Sequence, residues 1–362
     1  MVHAGHNAQN RPDSECSDAS RTVPATTRLA VVENEFTRHW HPYRWQLRET
    51  TLQWIVEQRL ISDDVVNTYS EDLLCYTDLI AGYYVGDSSS VVQAIADFSA
   101  WFFLWDDRHS IDVRHRRDQQ WWQLSAELRQ SLRHPAQHRD HPEPLVAAFA
   151  DSVGRIFGQL GQAWDERFAE HMDGIFVAYD REYRNLIVNQ VPTVADYLQL
   201  RRWTFGHDVW IDLLELTAGC ELPPSIQLDD TYQRAAHASQ EFASSYNDLC
   251  SMPKEIAAGD IHNLGICFMH HEGLDEEQAQ AAVRLHVIDC ITRFGQAESE
   301  IPALWNAGRC TRKIRTAVES CVFNMRNWIS STYWFHHESS RYRPQDWDNP
   351  AWPPYLNTGG VS

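Results

Sequence analysis

Asn247-Asp248-Leu249-Cys250-Ser251-Met252-Pro253-Lys254-Glu255 carries three oxygen-bearing side chains spaced four residues apart. On an α-helix, positions i, i+4 and i+8 advance by about 40° of face angle per step, so Asn247, Ser251 and Glu255 form one stripe over roughly 12 Å of axis. A carbonyl, a hydroxyl and a carboxylate in line are what a hard divalent cation such as Mg²⁺ takes, usually alongside water and substrate phosphates. A solvent-facing polar stripe would space three such residues in the same way, so this segment alone leaves both readings open. Pro253 removes a helical hydrogen bond and tends to kink. It either bends the helix or marks its end, and the placement of Glu255 depends on which.

A second segment upstream changes the balance. In Phe98-Ser99-Ala100-Trp101-Phe102-Phe103-Leu104-Trp105-Asp106-Asp107-Arg108-His109-Ser110 an apolar, aromatic run ends in two adjacent carboxylates. On a helix this sets acid at the end of an apolar wall, where a charged head group and an apolar tail could share one cavity. A buried aromatic helix whose first exposed residues are acidic is the plain alternative.

Together with Arg201-Arg202 and Arg341-Tyr342, these segments resemble the ion-binding apparatus of class I terpene synthases. Members carry an Asp-rich motif on one helix and an Asn/Ser/Glu triad spaced NDxxSxxxE on another. A diphosphate-sensing Arg precedes the triad, and an Arg-Tyr pair lies near the C-terminus. All four occur here in that order, with Arg201 standing 46 residues before Asn247. WFFLWDDRH, NDLCSMPKE and RRWTFGHDVW are most similar to bacterial sesquiterpene cyclases, and the resemblance spans residues 28–345. It departs at the fifth position of the Asp-rich motif, usually acidic and here Ser110; the next acid is Asp112. Asp106 keeps the metal role of the family's first Asp. The parts of Asp107, Ser110 and Asp112 stay open, and Ser110 is a candidate cap for a following turn.

Composition narrows the classes. A net charge of −19 argues against nucleic acid as a partner, since phosphate backbones want a basic stripe. It does not argue against a diphosphate, because bound Mg²⁺ reverses the sign locally. The eight Cys show no Cys-x-x-Cys pair, which speaks against zinc and for free thiols in a reducing compartment. The adjacent pairs His270-His271 and His336-His337 point apart on a helix and make poor chelates. The N-terminus lacks a charged-then-apolar signal pattern, and no apolar stretch approaches the roughly 18 residues of a membrane span. A soluble, cytoplasmic protein with no membrane partner is the expectation.

Helical periodicity prevails along the chain, and β-branched alternation between turn signals is sparse. The fold class expected is all-α, a class I terpenoid synthase bundle of helices around a central active-site cavity. Residues 1–25 are expected to be disordered, 26–345 to form the cyclase domain, and 346–362 to be a Trp/Pro-rich tail that folds over the cavity mouth or stays mobile. Helices are expected at 66–84 (Leu73, Leu74, Tyr76 and Leu79 inward), 88–106, 145–161, 163–189, 275–306 and 311–335. Residues 134–144 read as a Pro-marked loop. Thr193–Asp196 caps the helix through Arg202, and Pro223-Pro224 breaks the chain before the triad helix.

The resemblance implies chemistry as well as fold. It implies three Mg²⁺ ions, two held by Asp106 and the third by Asn247, Ser251 and Glu255. Arg201 matches the sensor, with Arg202 the neighbouring alternative, and Lys254, Arg341 and Tyr342 look like further diphosphate donors. Phe102, Phe103, Phe205 and Trp210 flank these motifs and are the aromatic wall expected to stabilise cations. Tyr76, Trp328 and Phe335 match wall positions or are plain core. At Phe205-Gly206 the family breaks a helix so that a carbonyl faces the cavity. The substrate implied is farnesyl diphosphate, and many relatives pair as homodimers. Geranyl or geranylgeranyl diphosphate, or a non-catalytic prenyl-diphosphate binder, are the alternatives.

Overall fold

The computed structural model describes residues 27–61, 63–86, 89–306 and 310–342, and everything below concerns these. The expected disordered segment 1–25 and the tail 346–362 lie outside them. Regular structure among the described residues is helical, so the expected all-α class holds.

Four long helices build the site. The aspartate helix runs Ser89–Arg114, a flanking helix Gln162–Val188, the triad helix Asp230–Ala258 and the C-terminal helix Arg312–Glu338. Their ends are set locally. Asp229 caps the triad helix by accepting from Thr231 N at 2.9 Å, and Gly259, in the left-handed region at φ 72°, stops it. Thr193 caps Val194–Thr204 through Asp196 N at 3.2 Å, as its sequence signature predicts, and Asp275 with Gln278 forms a capping box before Glu276–Glu300. The C-terminal helix packs against both the triad helix and Asp63–Tyr83. One buried apolar cluster runs through the bundle from Leu29 to Phe335. Leu73, Leu74, Tyr76 and Leu79 are all buried, as the rhythm of that segment predicts.

Several boundaries differ from expectation. The aspartate helix continues two turns past Asp106, so the carboxylates sit in its body and not at the end of an apolar wall. Ser110 therefore lies inside a helix and caps nothing. Pro253 does not end the triad helix, which runs on to Ala258. The helix expected at 145–161 stops at Ile156, because Phe157 is extended and Gly158 takes φ 77°. Glu300 ends the helix expected to reach 306, just before Pro302, whose ring restricts the residue ahead of it. A helical turn, Pro135–His138, occupies the expected loop. Helices Arg44–Glu57 and Leu264–Glu272, whose apolar residues are spread around the axis, were not foreseen, nor was Asp118–Arg133, although Trp121, Leu124, Leu128 and Leu132 give it a clear inward face.

Candidate active site

A cavity of about 360 Å³ opens between these helices, and the four metal-ligand candidates, the four diphosphate donors from Arg201 to Tyr342 and the four aromatics flanking the motifs all line it. Asp106 and Asp107 enter from the aspartate helix, with Phe102 and Phe103 one turn deeper. Asn247, Ser251, Lys254 and Glu255 enter from the triad helix, Arg201 and Phe205 from Val194–Thr204 and its end, Trp210 from His207–Thr217, and Arg341 and Tyr342 from the 3₁₀ turn Ser340–Tyr342.

At the polar end the groups already bind one another. Arg341 reaches Asp106 Oδ2 at 3.0 Å and Asp107 Oδ1 at 2.5 Å, and Tyr179 donates to the other Asp106 oxygen at 2.9 Å. Arg201 Nη2 donates to Asn247 Oδ1 at 2.6 Å and pairs with Asp248 Oδ1 at 2.9 Å. Asn247 Nδ2 donates to the Tyr342 hydroxyl at 2.8 Å and faces His336 Nε2 at 3.0 Å, which orients its amide. Ser251 donates to the Asn247 carbonyl at 2.8 Å and keeps its oxygen lone pairs. Tyr197 and the Leu264 amide hold the second Asp248 oxygen, at 2.7 and 3.2 Å.

Electrostatics follow from crowding charge out of water. Burial, then Asp260 and Asp248, push Glu255 up to about 7, against the pull of Arg201 and Asn263. Burial raises Asp107 despite the Arg341 pair, and Glu182 is pushed up by burial and by Asp260. Lys254 is lowered by burial and by the Arg341 charge. Each carboxyl that burial raises gains from a cation brought beside it. The donor set itself (carboxylate, amide and hydroxyl oxygens) is hard and suits a hard divalent cation and not a soft ion.

The opposite end is apolar. Phe102, Trp210 and Trp328 line it, the Phe102 and Trp210 rings meeting edge to face at 5.9 Å, and Phe205 stands between Trp328 and the Arg201 guanidinium, which is 5.3 Å from its ring. The chain breaks between Thr204 and His207, with Gly206 at φ 76°. A Cβ there would sit 3.1 Å from Ile175 Cδ1. The Phe205 carbonyl freed by this break accepts from Trp210 Nε1 at 2.9 Å.

Where sequence left alternatives, packing chooses. Arg202 turns away and pairs with Asp208 at 2.7 Å. Asp112 turns into the protein, fully buried against Arg108 at 2.9 Å, whereas Asp107 and Ser110 line the cavity. Trp328 is wall. Tyr76 and Phe335 are not on the lining; they pack behind Phe103, Tyr76 stacking on it at 4.2 Å and Phe335 at 5.5 Å. Tyr179, Glu182, His109, Asp260 and His262 line the cavity without having been foreseen. Tyr179 and Glu182 come from Gln162–Val188, and Asp260 and His262 from the turn after the triad helix, joined to the aspartate helix only in three dimensions. His109, three residues past Asp106 on the same helix face, is one that a spacing rule could have found. Away from the cavity, Glu241, His286 and Cys290 converge, but Arg293 donates to Glu241 at 2.9 Å and to Cys290 at 3.2 Å and already supplies positive charge there. Among the described residues no helix is long and apolar enough to cross a membrane.

An all-helical bundle whose cavity joins hard oxygen ligands and diphosphate-type donors to an aromatic wall defines the class I terpenoid synthase type. Residues 97–293 match the model of terpene synthase family 2, C-terminal metal binding. The chain is 49% identical over 341 residues to epi-isozizaene synthase of Streptomyces coelicolor, covering 92% of this chain and 94% of that protein. Pristinol synthase of Streptomyces pristinaespiralis is 26% identical, over 94% of this chain and 91% of its own. Linalool/nerolidol synthase of Streptomyces clavuligerus shares the fold at a TM-score of 0.71 and 22% identity, covering 83% of this chain and 98% of that one. The protein belongs to the terpene synthase family and is a metal-binding terpene cyclase.

Proposed function

We propose that this protein is a sesquiterpene synthase that ionises farnesyl diphosphate with Mg²⁺ and cyclises the resulting cation to a C15 terpene. The observation that carries this is one cavity lined both by Asp106, Asn247, Ser251 and Glu255 and by the aromatic rings of Phe102, Phe205, Trp210 and Trp328.

Ionisation breaks the allylic C–O bond, and the electron pair leaves with diphosphate. Asp106 would hold two ions, and Asn247, Ser251 and Glu255 a third. Bound Mg²⁺ supplies the charge that stabilises the departing diphosphate. Arg201, Lys254, Arg341 and Tyr342 offer N–H and O–H donors around the same volume, the arginine forks matching phosphate oxygens. Arg341 and Arg201 are held by Asp106 and Asn247 in this state. Diphosphate and metal together would exchange these contacts, arginines passing to phosphate and carboxylates to cation, which couples binding to closure.

The remaining cation is confined by rings that attract positive charge through their faces yet offer no basic lone pair. The wall excludes water, so the cation closes on the chain's own double bonds until a C–H proton is lost or a water is captured. Free thiols at seven cysteines among the described residues support a reducing cytoplasm as the compartment.

Purified protein is incubated with Mg²⁺ and, separately, geranyl, farnesyl and geranylgeranyl diphosphates, and volatiles are read by gas chromatography–mass spectrometry. A cyclic C15 product from farnesyl diphosphate is the expected result. A cyclic product from another chain length only, or Mg²⁺-dependent binding with no turnover, would overturn the reading.

A further inference from the structure

Asn263 stands eight residues beyond Glu255, after the triad helix has ended and the chain has doubled back to begin Leu264–Glu272. Its side chain is wholly buried and its polar atoms are all engaged. Nδ2 donates to Glu255 Oε2 at 2.7 Å and to the Asp248 carbonyl at 2.8 Å, while Oδ1 accepts from Gly265 N at 2.7 Å and caps the next helix. The cap needs an acceptor, so the amide cannot flip, and its NH₂ is obliged to face Glu255.

We propose that Asn263 is a positioning residue for metal binding, fixing one oxygen of Glu255 so that the other is presented to the cation beside Asn247 and Ser251. This rests on the reading of Glu255 as a metal ligand. A glutamate has three side-chain torsions, and Glu255 lies one turn from a helix end, beyond the internal Pro253. Without Nδ2 the carboxylate must be ordered by the ion itself. Outer hydrogen-bond partners of metal ligands set metal affinity by roughly 10–100-fold.

Two variants separate this role from capping. Asn263→Ser keeps an oxygen for Gly265 N but is too short for Glu255, and Asn263→Asp keeps the cap while facing Glu255 with a second carboxylate. The Mg²⁺ needed for half-saturation is measured twice: in calorimetric titration with inorganic diphosphate, and in turnover of farnesyl diphosphate. Melting without Mg²⁺ reports the fold. Expected is a rise of roughly tenfold in half-saturating Mg²⁺ for Asn263→Ser and more for Asn263→Asp, with turnover recovered to within about threefold at saturating Mg²⁺. Unchanged Mg²⁺ dependence in folded Asn263→Ser, or a turnover loss that added Mg²⁺ does not restore, overturns the assignment. Glu255→Gln is the control. If it too leaves the Mg²⁺ dependence unchanged, the ligand reading falls as well; if it raises that dependence and Asn263→Ser does not, only the role of Asn263 falls.

Discussion

Replacing either of two adjacent arginines by alanine should give opposite outcomes. Arg201 is 17% exposed and spans Asn247 and Asp248, and Asp248 itself is 1% exposed. Arg201→Ala strips a buried carboxylate of its only ion pair among the described residues, a loss of about 3–5 kcal/mol for a broken buried pair. Tyr197 and the Leu264 amide still hold Asp248, so the lower half of that range is the better estimate. A chain of this size has an unfolding entropy near 0.7 kcal/mol/K, which converts the loss into a fall of about 4–6 °C in melting temperature. Removing a preorganised donor to developing negative charge lowers kcat by about 10²–10³ in addition. Arg202 is 41% exposed, and its pair with Asp208 is worth at most about 1 kcal/mol. Arg202→Ala should therefore melt within about 2 °C of the parent and turn over within about twofold. Differential scanning fluorimetry and steady-state release of diphosphate from farnesyl diphosphate decide it. If Arg202→Ala loses as much turnover as Arg201→Ala, the assignment of the sensor by packing is wrong.

Three further outcomes are expected. Burial holds His207 neutral with its pKa lowered to about 3, while an unfolded histidine titrates near 6.5. The unfolded chain then takes up the proton first, so stability present above about pH 6.5 is lost as pH falls toward 3. His207→Gln, which can still bond Ser244, should remove roughly 2 kcal/mol of the loss between pH 7 and 5; an identical pH profile of melting would refute this. Asp112→Asn should destabilise by a few kcal/mol, since Asp112 offsets Arg108 in the interior, yet leave the Mg²⁺ dependence of turnover as in the parent; a large rise in half-saturating Mg²⁺ would make Asp112 a ligand after all. Gly206→Ala forces a Cβ onto a left-handed backbone beside Ile175 at a cost of about 1–2 kcal/mol. Because it also displaces the Phe205 carbonyl–Trp210 contact, its product mixture should change; unaltered products at a lowered melting point would confine Gly206 to stability.

The triad, the aspartate pair and the Arg-Tyr pair were legible because each is local. A repeat of four residues sets one helix face, and neighbours in sequence stay neighbours in space. Helix existence was legible for the same reason, and boundaries less so. Gly158 and Pro302 ended helices where apolar content continued, whereas the triad helix runs on through Pro253 to Ala258 and stops only where Gly259 takes φ 72°.

By itself, the sequence determined an all-helical chain and the chemical character of both ends of the cavity, since both follow from short-range pattern and residue type. Only the tertiary structure decided which of two residues of the same type lines the cavity. Arg201 and Arg202 are identical in type, and so are Asp107 and Asp112; what separates them is the direction of a side chain about a helix axis and the partner waiting there. Tyr179 and Glu182 reach the site from Gln162–Val188, a helix whose meeting with the aspartate helix depends on the closing of the whole bundle. Contacts of that kind span long stretches of chain, and no local pattern encodes them.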